Sequence, residues 1–429
     1  MSKNDDIIRR AAICMKSRAD PRRDIAVERT HGIVIEEKSG KEYVDFSCGN
    51  YNALGYCHPE IVKTIVEVAG RLDHVPLARG VTELVVEHAE KLRSISPGLS
   101  DGKVAYGCSG TESVEFATKL AVGHTRRPIL IAYMGGHYGR GPATTGLTAD
   151  IAASKSDYPY ITNVVHVPFP YCYRCPFGRG ASGCSLECFD YLQGTLDTVV
   201  PPDSVAGILI EAIQGWNGYV VPPVEYMRRL DKLCREHGIL MIDDEVLLNM
   251  GSTGRMLSIE HFEVKPSVIA LGKALGFGFP LSAIVASAEM IDQWPHWRNV
   301  STAAANHLAI AASIKGMEII ERDKLLESAT HIGSHIREYI QKASAKCQHV
   351  GDVRGKGLCI GVEFVQDRES KKPAPASAER FVELAYERGL LFGRAGTHRH
   401  VVRISPPLIT TRDIAEKAEQ IISASLDAL

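Results

Sequence analysis

Five short, nearly unbroken apolar runs set the frame of this chain: Val104–Tyr106, Ile129–Tyr133, Val205–Ile213, Ile239–Asp243 and Val268–Leu271. Each has the length of a strand, and apolar residues on consecutive positions mean burial on both faces. Between the runs lie stretches of helical spacing. In Val224–His237, for example, Met227, Leu230 and Cys234 share one face. Alternating helices and doubly buried strands predict an α/β fold with a mostly parallel sheet between layers of helix. In such sheets ligands bind beyond the carboxyl ends of the strands.

The flanking regions read differently. Residues 1–30 look like a helical arm, with Ile7, Ile8, Ala11, Ala12 and Met15 at helical spacing. Gly32–Phe46 alternates around Ser39-Gly40-Lys41, a hairpin signal. A long helical region, Leu308–Ala345, leads to a second α/β unit with strands Leu358–Phe364 and Val401–Ile404, a helix over 378–388 and a final helix Arg412–Leu429. The expected division is an N-terminal arm and part of a small domain (1–58), a large ligand-binding domain (59–310), and a linking helix with the C-terminal small domain (311–429).

Composition removes several classes of function. With 429 residues, 45% hydrophobic, and a formal net charge of −2, the chain carries no electrostatic case for a nucleic-acid or membrane-surface partner. No apolar run approaches a membrane span. The N-terminal MSKNDDIIRRAAICMKSR mixes acids and bases without an apolar targeting core, so a cytoplasmic location is expected.

Chemistry concentrates at the strand ends. The stretch VIALGKALGFGFPLS (268–282) delivers Lys273 from a buried strand into a glycine-rich turn. Taken alone this reads as a surface lysine past a strand end. If desolvated, its pKa falls toward a reactive amine, as a Schiff-base lysine needs. Gly107-Cys108-Ser109-Gly110-Thr111-Glu112 opens a helix with small residues, which suits a bound anion as well as ordinary capping. Asp243-Asp244-Glu245 closes the strand before Lys273, where a buried carboxylate can hold a ring nitrogen protonated. Separately, Cys172, Cys175, Cys184 and Cys188 stand in a C-x2-C-x8-C-x3-C pattern, compatible with a structural zinc, an iron–sulfur cluster or four reduced thiols.

Together these motifs resemble the class III pyridoxal-phosphate-dependent aminotransferases, of fold type I. The resemblance rests on DFSCGNYNALGYCHPEIV (45–62), CSGTESVEFATKLA (108–121), EAIQG (211–215), IDDEV (242–246), KPSVIALGKALGFGFPLSA (265–283), GDVRGKGLCIGVEF (351–364) and VRISPPL (402–408). Within the family, GYCHPEIV, GDVRGKG and VQDRESKKPA lie nearest the 2,2-dialkylglycine decarboxylase branch. The resemblance implies the fold type I transferase fold, a large domain with a smaller α/β domain built from both termini. It further implies pyridoxal 5′-phosphate as cofactor and a homodimer with shared active sites. Lys273 would form the Schiff base, Asp244 would pair with the pyridine nitrogen and Val246 would pack on the ring. Gly110 and Thr111 would bind the phosphate, with Thr302 reaching the neighbouring subunit's cofactor. Arg403 would hold the substrate carboxylate and Asn50 would face the substrate.

Departures from the family pattern point to an unusual substrate. Where DEVQTG is expected, the chain has Asp244-Glu245-Val246-Leu247-Leu248-Asn249, and Leu247 donates no hydrogen bond. His137-Tyr138-Gly139 inverts the usual aromatic-His-Gly, so His137 is assigned to stack on the ring. Trp216 replaces the glutamate that commonly follows EPxQG, which argues against dicarboxylate partners. The expected activity is amino transfer between an amine or amino acid and an oxo acid. The alternatives are decarboxylation-linked transamination or racemisation on the same lysine, and a non-catalytic cofactor- or metal-binding scaffold.

Overall fold

Seven strands form the central sheet, in the order Lys103–Gly107, Ser282–Ala286, Val268–Leu271, Leu240–Asp244, Val205–Ile210, Ile129–Tyr133, Val164–Val167. The computed structural model describes residues 3–15, 25–156, 159–179, 183–295 and 301–429. Five of these strands run parallel to one another, while Ser282–Ala286 lies antiparallel to both of its neighbours. Val205–Ile210 and Val268–Leu271 are buried at every position, as unbroken apolar runs require. Helices such as Gly110–Thr125 and Val224–His237 supply the covering layers, the latter burying Met227, Leu230 and Cys234.

The expected elements differ in a few places. The run Val205–Ile213 is strand only to Ile210, because the backbone turns there into the EAIQG loop. The long helical region is two helices, His307–Arg322 and Leu325–Ser344, divided at Lys324, whose φ of 52° ends α-helical geometry. The N-terminal helix covers Lys3–Cys14, and residues 16–24 of the expected arm lie outside the described residues.

The remaining strands make two smaller sheets. One joins Val27–His31, Val34–Glu37 and Glu42–Asp45 to Leu390–Leu391, so N-terminal and C-terminal segments share a sheet. The other runs Val350–Lys356, Cys359–Phe364, Val401–Ile404, Gly393–Ala395, all antiparallel. Among the described residues no helix is long and apolar enough to cross a membrane.

Candidate active site

The carboxyl ends of the central strands deliver the polar groups to one edge. Lys103–Gly107 leads to Ser109 and Gly110, Ile129–Tyr133 to His137, Val205–Ile210 to Glu211, Leu240–Asp244 ends on Asp244, and Val268–Leu271 leads to Lys273. This is where an open α/β sheet leaves room for a ligand.

Lys273 has a left-handed backbone, φ 44°, and opens onto the cleft with its side chain accessible there. The surrounding protein nevertheless lowers its pKa: desolvation is the main cause, the Arg403 and Arg140 charges add to it, and Asp244 and Glu211 oppose it. Asp244 is buried and spends one oxygen on the Val246 N–H at 2.9 Å. Its pKa is pushed up to about 6, chiefly by desolvation, so an unpaired charge there is disfavoured. A protonated ring nitrogen is the kind of partner that would relieve it.

The start of helix Gly110–Thr125 is a capping box in which Ser109 Oγ accepts from the Glu112 N–H. Glu112 Oε2 in return accepts from the Cys108 and Ser109 N–H groups. The Gly110 and Thr111 amides are left pointing from the positive end of the helix dipole. A Cβ at Gly110 would come within 2.4 Å of Val246 Cγ1, and one at Gly139 within 2.8 Å of Thr111 Oγ1. The backbone is thus drawn close around a space beside Val246 and Thr111, a cradle that side chains would fill. The cradle, the amine and the half-paired carboxylate fit pyridoxal 5′-phosphate.

His137 is fixed from three sides. Its N–H donates to Glu211 Oε1 at 3.1 Å, its Nδ1 lies 2.8 Å from Asp150 Oδ2, and its ring stacks on Trp216 with centroids 5.5 Å apart. Arg403, on Val401–Ile404, sits over the same indole at 5.9 Å, and its Nε is buried with no hydrogen-bond partner among the described residues. A cavity of about 420 Å³ adjoins His137 and Trp216, lined also by Arg140, Thr148 and Asp150.

Two other expected residues make contacts within the chain. Asn50 is buried and its amide donates to Tyr219 Oη and to Ser405 Oγ, so its N–H groups brace the protein. Thr302 is exposed, its carbonyl bonded by His74 Nε2 at 2.7 Å, next to Ser301, which lies 3.7 Å from Cys108. The four cysteines line one small apolar cavity as free thiols. Among the described residues no group of three or more His, Cys, Asp or Glu is placed to hold a metal, which corrects the zinc or iron–sulfur expectation for this structure. One reason is local: Cys184 Sγ is engaged by Glu187 and by the Leu186 N–H.

Three residues at the site were not anticipated. Glu211 is buried, receives the His137 and Gly215 N–H groups, and is pushed up to about 8 by desolvation and then by Asp244. Its place directly after a buried strand was the available signal. Arg140, three residues past His137, was signalled by the same loop. Asn249 is buried, and its amide donates to the Glu245 and Gly272 carbonyls.

The Aminotransferase class-III family model matches residues 15–426, and the chain belongs to that family. It is a pyridoxal-phosphate-dependent class III aminotransferase by fold and family. It is 38% identical to a leucine/methionine racemase of Thermococcus litoralis over 89% of this chain and 85% of that protein. It is 36% identical to an alanine/serine racemase of Pyrococcus horikoshii, over 93% and 85% respectively. A solved aminotransferase of Bacillus anthracis superposes with a TM-score of 0.91 at 25% identity, covering 100% of both chains.

Proposed function

We propose that the enzyme acts on α-amino acids with apolar side chains, transferring their amino group to an oxo acid. The observation that carries this reading is the pairing of Arg403 with Trp216. A guanidinium with a free Nε is set against an indole face, which offers one carboxylate site beside an apolar wall. Leu247, packed against Gly215 next to Trp216, extends that wall.

When bound, pyridoxal 5′-phosphate supplies the carbonyl that condenses with amines and the electron sink that makes a Cα proton acidic. The protein's part follows from its own groups. Lys273 Nζ, its pKa lowered by desolvation, is the nucleophile and then the carrier of the Cα proton. Asp244 would keep a ring nitrogen protonated, the Gly110 and Thr111 amides would hold the phosphate, His137 and Val246 would contact the ring, and Arg403 would orient the substrate through its carboxylate.

A second reading, inversion at Cα, is favoured by the identities of 38% and 36% to racemases. Both readings use the same lysine. We further propose a homodimer: Val62 and Val66 are 47% and 67% exposed beside a groove lined by Ile61, Phe277 and Phe279, an apolar face a second copy would cover. The eleven cysteines are all free thiols, which supports a reducing, cytoplasmic setting.

The test is incubation of the holoenzyme with L-leucine, with and without pyruvate. Transamination turns over to 4-methyl-2-oxopentanoate only when the acceptor is present, and without it stops at one equivalent per site. Inversion gives D-leucine without any acceptor. If apolar amino acids leave the imine absorbance unchanged while dicarboxylates bleach it, the substrate assignment is wrong.

A further inference from the structure

Behind the Trp216 turn lies a largely enclosed arginine, its side chain 11% exposed, that takes no part in the chemistry of Lys273. Arg354, on Val350–Lys356, donates through Nε to the Gly218 carbonyl at 2.8 Å and through one terminal nitrogen to the Asn217 carbonyl at 2.6 Å. Its other terminal nitrogen reaches Glu363 Oε2 at 2.7 Å and Asp352 Oδ2 at 2.8 Å. The guanidinium also lies over the Tyr171 ring at 4.9 Å. All three nitrogens of the fork therefore donate, a pattern that a lysine cannot reproduce.

Its counter-charge is shared with other elements. Glu363 is fully buried, accepts from Tyr171 Oη and Arg174 Nε, and lies 3.3 Å from His400 Nε2. Burial opposes ionisation, but these partners together with Arg354 hold the carboxyl well below the usual range. Tyr171 and Arg174 come from the cysteine-rich excursion, so that loop and the small domain meet on this one carboxylate. On the same strand Gly361 pairs with Arg403, two residues from Glu363.

The turn held by Arg354 has little freedom elsewhere. The Trp216 carbonyl accepts the Gly396 N–H at 2.8 Å, and Asn217 Oδ1 accepts the Thr397 N–H at 3.3 Å. Gly218, φ 82°, lies so close to the next strands that a Cβ would meet Val401 Cγ1 at 2.2 Å.

We infer that Arg354 is a positioning residue for substrate recognition: by fixing the Asn217 and Gly218 carbonyls it keeps Trp216 in contact with His137 and Arg403. Amino-acid binding depends on it, and cofactor binding does not. This rests on the proposal that Arg403 and Trp216 face the substrate.

The experiment compares wild type with R354K and, should R354K fail to fold, with E363Q, which loosens the same hub while keeping the arginine. The R354K holoenzyme is expected to keep its imine absorbance and its cofactor dissociation constant within about twofold. Its KM for L-leucine rises roughly ten- to hundredfold, the scale of a charged hydrogen bond lost, while kcat changes much less. A second readout needs no substrate. With Trp294 and Trp297 replaced by phenylalanine, Trp216 is the sole tryptophan of three, and its acrylamide quenching should rise severalfold on R354K. If wild type ignores L-leucine, the substrate reading fails, and the quenching result still judges this one. Unchanged quenching and KM, or cofactor affinity falling in step with KM, overturns the inference.

Discussion

The side-chain amide of Asn249 donates to the Gly272 carbonyl at 2.9 Å, one residue ahead of Lys273, and to the Glu245 carbonyl, one residue past Asp244. It clips together the two strand ends that carry the amine and the acid. Lys273 needs such support, since a non-glycine residue at φ 44° is strained by roughly 1–3 kcal/mol.

Asn249→Ala removes the clip and leaves buried carbonyls unpaired, a loss of about 1–3 kcal/mol. The expected result is a lower melting temperature together with a cofactor dissociation constant raised about tenfold. Dilution of holoenzyme followed by imine absorbance measures the second. A variant that melts early yet retains cofactor normally would show that the clip serves only the fold.

Gly110→Ala tests the cradle. The new methyl would stand 2.4 Å from Val246 Cγ1, and a β-branched side chain has little rotamer freedom with which to move away. Val246 is then forced into the space assigned to the ring. Cofactor affinity should fall at least tenfold while apoenzyme melting shifts little, because the helix start keeps its Ser109–Glu112 box. Equal affinity in the variant would remove the cradle from the site.

The large-domain sheet and its two chemical ends were readable because burial on both faces leaves an unmistakable run of apolar residues. Lys273 and Asp244 then stand out as charges at the ends of such runs. Ser282–Ala286 escaped notice because SAIVA sits only a turn from Val268–Leu271, and nothing in its composition tells an antiparallel return strand from a loop. The break at Lys324 was equally silent, since the left-handed residue there is neither glycine nor asparagine. The amide contacts of Asn50 could not be read from the sequence, because its partners Tyr219 and Ser405 lie 169 and 355 residues away. Asn249 was visible as a departure from pattern, but its three carbonyl partners exist only once two strand ends are side by side.

Glu211 gives the apoenzyme a predictable pH response. Its folded pKa is raised from 4.5 to about 8, first by desolvation and then by Asp244. Below pH 4.5 the folded and unfolded chains both hold the proton. Between 4.5 and 8 the unfolded chain ionises freely and the folded one resists, so stability falls as pH rises, by at most about 1.4 kcal/mol per pH unit for one proton. Glu211→Gln abolishes that contribution. Urea melts of cofactor-free protein from about pH 5.5 to 8.5 should show a shallower decline for the variant, whatever its absolute stability. Parallel pH profiles would mean that Glu211 is already ionised in the apoenzyme.

Trp216→Ala separates substrate selection from chemistry. The indole meets both His137 and Arg403, so removing it takes away a stacked contact and a cation–π contact at once. Each is worth about 0.5–2 kcal/mol, and the apolar wall goes with them. KM for L-leucine should therefore rise roughly fivefold or more. Lys273 Nζ and Asp244 remain in place, so imine absorbance and cofactor retention stay close to wild type. Losing the wall also lets water and longer polar side chains approach Arg403, and discrimination between L-leucine and L-glutamate should narrow by a similar factor. Steady-state kinetics with both amino acids checks this directly. If KM for L-leucine is unmoved and kcat alone collapses, Trp216 acts on the reacting atoms through His137, and the apolar-substrate assignment loses its main support.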